Sequence, residues 1–209
     1  MRDSSSLSLC VGGESHRWCV YLLALTDCSA FKIGFSCNLL QRLYSFSHRY
    51  FERFDLRESL ALRLEDEAQA RCIEAKLKQE FSAARLAAPT WIPMQAGGHT
   101  EWFSAVHFCD AAARLRAFAA PKQEADLVEP DALVGERLRL FSPQFEAWAV
   151  QQARCIENVG TTVAGLRAVE GELRSLRDWL DAYRSFNIDL FVDDPATLRF
   201  VRRIADLWR

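Results

Sequence analysis

Five side chains in the first half of the chain could act together on an anion. Tyr21 offers a phenol, Lys32 and Arg42 offer cations, and Glu74 and Glu101 offer carboxylates. The stretch FKIGFSCNLLQRL (residues 31–43) raises the question most sharply: Lys32 interrupts an apolar run that ends on Gly34, and Arg42 follows that glycine by eight residues. An ordinary strand, turn and helix can read this way, and so can half of an active site. The formal net charge is −2, so the chain has no broad basic coat, and any phosphate binding must come from a local cluster.

Those residues need elements to carry them. WCVYLLAL (18–25) is apolar, aromatic and β-branched, as a buried strand is. TDCS (26–29) is turn-like and FKIG (31–34) is a second short strand, so the two pair as a hairpin holding Tyr21 and Lys32. Ser36 or Asn38 can cap a helix over 39–47, with Leu39, Leu40 and Leu43 on one face. FDLRESLALRLE (54–65) alternates Leu56, Leu60, Leu62 and Leu64 with charged neighbours, the pattern of a half-exposed strand. Residues 64–87 form an amphipathic helix with Ala70, Ile73, Leu77 and Phe81 on one face and Glu74 near its middle. The loop APTWIPMQAGGHT leads to a short strand, EWFSAV, and then to a closing helix over 109–120.

Pro121 to Glu124 read as a linker, and the chain beyond it is mostly helical. Ser142-Pro143 is a helix start with Pro in the first position, and the pattern runs to about Tyr183 with breaks near Gly160 and Gly165. NIDLFV (187–192) is a short extended piece, and Asp194-Pro195 opens a last helix. The expected fold is α+β: a lead-in over 1–16, a small antiparallel sheet flanked by helices over 17–120, and an α-helical accessory region over 125–209.

The chain has 209 residues, half of them hydrophobic, which is ample for a core. Residues 1–124 carry 15 Lys and Arg against 14 Asp and Glu, and residues 125–209 carry 11 against 14, so the first half is the better place to meet an anion. Seven cysteines include no CxxC pair, and the nine-residue spacing of Cys10, Cys19, Cys28 and Cys37 suits neither a zinc knuckle nor a disulfide framework. Reduced, buried thiols in a cytosolic protein fit better. His16 with Cys19 could make half a metal site and has no evident second half. No basic stretch is followed by an apolar run at the N-terminus, and CVYLLAL is too short to span a bilayer, so the expectation is a soluble, cytoplasmic protein with no membrane partner.

The order of these pieces resembles the GIY-YIG nuclease superfamily. Cys19-Val20-Tyr21 stands where Gly-Ile-Tyr is expected, and Lys32-Ile33-Gly34 stands for Tyr-Ile-Gly. Residues 34–43 (GFSCNLLQRL) are similar to the family's Gly-x-Ser/Ala-x-Asn-x-x-x-Arg-Leu run. The two departures, Cys19 for Gly and Lys32 for Tyr, point to the phage and "meiotically up-regulated" branch, where the second motif usually reads Lys-Ile-Gly. That branch also has a Glu-x-x-Leu-x-x-x-Phe helix, met here from Glu74 to Phe81, and a Thr-Glu-Trp-Phe element, met here at 100–103. The resemblance covers roughly residues 17–119.

It implies hydrolysis of DNA phosphodiester bonds with one divalent cation, Mg²⁺ or Mn²⁺, held by Glu74. By the same resemblance Arg42 grips the scissile phosphate and Tyr21 orients or deprotonates the attacking water. A free Tyr titrates near pH ~10, so as a base it needs positive charge nearby, and Lys32 could supply it or touch the phosphate itself. Ser36 and Asn38, inside the matched run, count as substrate-binding candidates, as do Arg85 and His99 near the loop.

Each has an ordinary reading beside this one. Tyr21 can be a core aromatic, Lys32 a strand-end lysine, Arg42 a partner of a surface acid, and Glu74 one carboxylate on a solvated helix face. Arg85 and His99 can be plain loop residues, and His48, a further base candidate, a structural histidine. Glu101 could bind metal, pair with an Arg or only anchor its strand.

Two other functions stay open. The fold could serve as a DNA-binding module without activity. The acidic C-terminal helices, with their aromatic WLDAYRSF and FVRRIADLW, could be the working part, as a dimer or protein-partner surface. Arg199, Arg202 and Arg203 are a compact cluster there, read as a solvated helix face.

Overall fold

The computed structural model describes residues 18–119, 126–159 and 169–190, with side chains in the middle segment through Arg154. Expectations for 1–16, for the linker at 121–124, for the breaks at Gly160 and Gly165, and for the last helix with its arginines lie outside the described residues, as do Cys10 and His16. The chain is α+β. Among the described residues the strands are β1 Trp18–Leu25, β2 Ala30–Ser36, β3 Phe54–Leu64, β4 Arg85–Leu86, β5 Trp102–Ser104 and β6 Asp126–Val128. These six make one antiparallel sheet in the order β4-β5-β2-β1-β3-β6. The helices are α1 Leu39–Phe46, α2 Tyr50–Arg53, α3 Glu67–Glu80, α4 Phe108–Ala119, α5 Pro130–Val159 and α6 Glu170–Ser185. The described residues fall into two compact units that divide between Glu136 and Arg137.

In the first unit, β1 and β2 pair as the expected hairpin, with Tyr21 opposite Gly34 and Leu23 opposite Lys32. Strand alternation then sorts side chains by parity. Val20 and Leu22 of β1, Phe31 and Ile33 of β2 and Phe103 of β5 join Ala70, Ile73 and Leu77 of α3 and Ala111, Ala112 and Leu115 of α4 in one core. Tyr21, Lys32 and Trp102 belong to the other face. There Phe46 of α1, Phe54 and Trp91 close around Trp102, with ring centroids 5.8–6.4 Å apart.

The helices begin where their caps say. The Asn38 side chain accepts from Gln41 N at the start of α1, which decides between the two cap candidates, and Asp66 accepts from Ala68 N and Gln69 N at the start of α3. The expected helix over 64–87 is shorter. It ends at Glu80 with Phe81 as its C-cap, and the chain then makes a single 3₁₀ turn and the two-residue β4, paired with β5. An edge strand of two residues leaves no periodicity to read. For the same reason β6, which pairs with β3 just beyond the expected linker, and the one-turn α2 carry no sequence pattern.

In the second unit, the helix expected to start at Ser142-Pro143 instead runs unbroken through Pro143. Pro130 holds the first position, where its missing N–H costs nothing. One turn before Pro143, the Leu138 carbonyl accepts from both the Ser142 hydroxyl and the Tyr183 phenol, each at 3.0 Å. Trp179 and Tyr183 of the WLDAYRSF stretch are buried within their own unit, packed on Phe141 and Phe145 with centroids 4.9–6.0 Å apart. NIDLFV forms no regular element over 188–190, and its last two residues lie outside the described residues. No helix among the described residues is long and apolar enough to cross a membrane.

The thiols test the burial pattern. Burial pushes Cys19 up to about 12, while Cys28, Cys72 and Cys109 are exposed and Cys37 is half-buried. Since thiolate is the reactive form, a disulfide-exchange reagent will label Cys28, Cys72 and Cys109 fast, Cys37 more slowly, and Cys19 only in denaturant. Peptide mapping of the labelled native protein checks this.

Candidate active site

Pairing in the β1–β2 hairpin brings Tyr21 across from Gly34, and the phenol lies over that glycine. A Cβ on Gly34 would collide with Tyr21 Oη and stand 2.5 Å from its Cζ, so the Lys-Ile-Gly ending is set by the ring that covers it. Helix α1 leaves β2 through the Ser36–Asn38 turn, and its second turn carries Arg42. The Arg42 Nε donates to Tyr21 Oη at 3.4 Å. Four residues on, and therefore on the same helix face, Phe46 sits under the guanidinium, 4.4 Å from Cζ to centroid.

Lys32 has no solvent exposure. Its Nζ lies 5.2 Å from the ring centroids of both Phe46 and Trp102, donates to Gly98 O at 2.8 Å, and pairs with Glu101 Oε2 at 2.9 Å. Burial pulls this ammonium down to about 8, against the opposing pull of Glu101. Glu101 Oε1 accepts from Lys78 Nζ at 3.1 Å, and the same Nζ meets Glu74 Oε1 at 2.8 Å. The result is an alternating chain of charge, Glu74–Lys78–Glu101–Lys32. Burial acts to raise the Glu101 carboxyl, but Lys32 and Lys78 outweigh it and hold the group below its ordinary value. Burial likewise acts to lower Lys78, and its two carboxylate partners outweigh that and raise it.

The loop between β4 and β5 closes over the cations. Arg42 Nη1 donates to Ala96 O at 2.6 Å, beside the Lys32 contact to Gly98 O. Gly98 has φ +68°, and a Cβ there would stand 2.6 Å from both Lys32 Nζ and Glu101 Oε2 and 3.0 Å from Arg42 Nη2. Only glycine admits this approach.

Of the residues singled out from sequence, Lys32, Glu101 and Glu74 thus join in one charged chain with Glu101 at its centre, and the Tyr21–Arg42 pair lies beside it across the shared Phe46 ring. The others are engaged elsewhere. Ser36 Oγ accepts from Asn38 N within the turn, and Asn38 Oδ1 caps α1. Arg85 lies over the Phe103 ring at 5.9 Å, His99 Nε2 meets Pro93 O at 3.2 Å, and His48 stacks on Tyr44 at 4.3 Å. Sequence reading passed over Phe46, Lys78 and Gly98. Two of these had a signal: Phe46 follows Arg42 by four residues and Lys78 follows Glu74 by four, the spacing that puts side chains side by side on a helix.

Of the two roles open to Lys32, supplying charge to Tyr21 is not the one its contacts favour: the cation bonded to Tyr21 is Arg42, and Lys32 pairs with Glu101. Burial pushes the phenol well above its ordinary value, and Arg42 offsets only part of that. The hydroxyl is therefore protonated at neutral pH, suited to orienting a nucleophile rather than taking its proton. Among the described residues no three His, Cys, Asp or Glu gather as a metal cage. The donor set is two carboxylates whose near oxygens already share one ammonium, with the Glu74 side chain 6% exposed. Hard oxygens that already hold a cation fit Mg²⁺ or Mn²⁺, which keep most of their waters.

Two variants probe this geometry. Gly34→Ala will force the Tyr21 ring aside and cost about 1–3 kcal/mol of stability in urea denaturation. Glu101→Gln removes a carboxylate whose folded pKa lies below its unfolded value. The stability it contributes is complete above the ordinary carboxylate range and is lost as pH falls through the folded pKa. Wild type will therefore lose more melting temperature than Glu101→Gln between neutral and strongly acidic pH, as paired thermal melts will show. Compared with models of known protein families, with characterised proteins and with solved structures, the chain matches none.

Proposed function

We propose that the chain is a divalent-metal-dependent endonuclease of GIY-YIG type acting on DNA. The observation that carries this reading is that the Tyr21–Arg42 pair and the Lys32–Glu101–Lys78–Glu74 chain lie side by side, Arg42 and Lys32 both facing the Phe46 ring and both donating to the loop carbonyls of Ala96 and Gly98. Tyr21, Lys32, Arg42 and Glu74 each come from a different motif of the resemblance, and chance residues would have no reason to gather. The antiparallel hairpin, with the helix that brings Arg42 back over Tyr21, supports a GIY-YIG-like sheet.

In this reading Arg42 and Lys32 bind phosphate oxygens. They already hold two main-chain oxygens, of Ala96 and Gly98, and the loop gives way as the phosphate takes those positions. The planar Arg42 fork fixes the phosphate, and the Phe46 ring beneath it keeps the fork in plane. The Tyr21 hydroxyl orients the water that attacks phosphorus as the opposite P–O bond breaks. Glu74 would hold the divalent cation, which supplies charge neutralisation at the phosphate and leaving oxygen. Glu101 keeps Lys32 charged, so the site stays cationic where negative charge develops.

Plasmid cleavage with Mg²⁺ or Mn²⁺ tests this. Wild type will nick or cut, and Arg42→Ala and Glu74→Ala will each lose at least ~100-fold in rate. An inert wild type that still retards DNA in a gel would replace the nuclease reading with that of a binding module. A chain that neither cuts nor binds would move attention to the C-terminal helices and a protein partner.

A further inference from the structure

Lys78 has no part in the hydrolysis just described, yet it sits on the residue assigned to the metal. Its Nζ lies 2.8 Å from Glu74 Oε1 and 3.1 Å from Glu101 Oε1, so those two oxygens lie within about 6 Å of each other with an ammonium between them. This is where a divalent cation serving both carboxylates would stand. The two cannot share the place, because both would be held by the same oxygens and would repel at close range.

The two lysines of the network differ in their freedom to leave. Lys32 rises from the middle of a strand, has no solvent exposure, and is fixed by Gly98 O, Glu101 and two aromatic rings. Lys78 stands on the last turn of α3 with its side chain 24% exposed, and its four-carbon stem can carry the ammonium out to water. Its departure would free Glu74 Oε1 and Glu101 Oε1 together, while Glu101 stays anchored to Lys32 through Oε2.

We propose that Lys78 is a built-in counter-ion that competes with the divalent cation for Glu74 and Glu101, so that metal binds by exchange and more weakly than the bare carboxylates would allow. The inference rests on the reading of Glu74 as a metal ligand and adds a residue that tunes it. A merely structural role predicts the opposite sign: loosening the site would weaken metal binding, whereas removing a competitor tightens it.

The test is Mn²⁺ binding to the full chain, followed by the electron paramagnetic resonance of free Mn²⁺, in wild type, Lys78→Gln, Lys78→Arg and Glu74→Gln. Lys78→Gln will bind Mn²⁺ at least ~10-fold more tightly than wild type, Lys78→Arg will stay weaker than Lys78→Gln, and Glu74→Gln will lose the site. A folded Lys78→Gln with unchanged or weaker affinity overturns the proposal and leaves Glu74 as a ligand. Wild-type affinity in Glu74→Gln overturns the metal reading itself. Should Lys78→Gln not fold, the wild type decides: the side-chain ¹⁵N signal absent from Lys78→Arg must shift when Mg²⁺ saturates the site, and a signal that does not move overturns the exchange.

Discussion

An ammonium with no access to water is costly unless every bond it lost is replaced. Lys32 sits mid-strand under that constraint, and much of the first unit answers it. Two rings, Phe46 and Trp102, present their faces to the charge, Glu101 supplies a carboxylate, and Gly98 supplies a carbonyl. To deliver these the chain must bring α1 across the sheet, set β5 beside β2, and turn the β4–β5 loop back onto the site. The glycine at φ +68° answers the last requirement, since any side chain there would collide with the groups it is meant to satisfy.

The sheet makes this possible by giving its two faces different work. One parity of β1, β2 and β5 faces α3 and α4 in an apolar core of aliphatic and phenyl side chains. The other parity places Tyr21, Lys32 and Trp102 together, and aromatic rings line that side. A register slip of one residue would exchange the two sets and bury the apolar ones against the site. Close packing of Tyr21 on Gly34 opposes such a slip.

Charge is arranged with the same economy. Glu74 and Lys78 come from one helix, Glu101 precedes β5, and Lys32 belongs to β2, so four residues from three segments alternate in sign. The four sum to no net charge and need no external counter-ion. The site is thus closed as it stands: cations hold main-chain oxygens, and carboxylates hold lysines. In the proposed nuclease reading, function at such a site proceeds by exchange, with phosphate oxygens taking the place of carbonyls and a divalent ion the place of an ammonium. The second unit has a plainer logic, with the aromatic seam of α5 and α6 buried on itself.

The local elements were legible because their signals are local. Apolar runs mark β1 and β2, alternation marks β3, the 3.6-residue period marks α3, and Asn38 was one of two cap candidates for α1. Tyr21, Lys32, Arg42 and Glu74 were singled out together through the motifs of the resemblance, and the structure sets Tyr21 against Arg42 and links Lys32 to Glu74 through Glu101 and Lys78. What the sequence could not decide depends on long-range pairing. Strands of two or three residues such as β4 and β6 exist only because β5 and β3 offer them an edge. Pro143 reads as a helix start until a helix that begins at Pro130 passes through it and is held by contacts with α6. The partner of Tyr21 proved to be Arg42, and that of Lys32 proved to be Glu101, because neighbours far apart along the chain are chosen by how the sheet and helices pack. By itself the sequence determined which residues could do chemistry and which local elements carry them. Only the tertiary structure decided which charges face each other, because desolvation and pairing act on distances in space and not on separations along the chain.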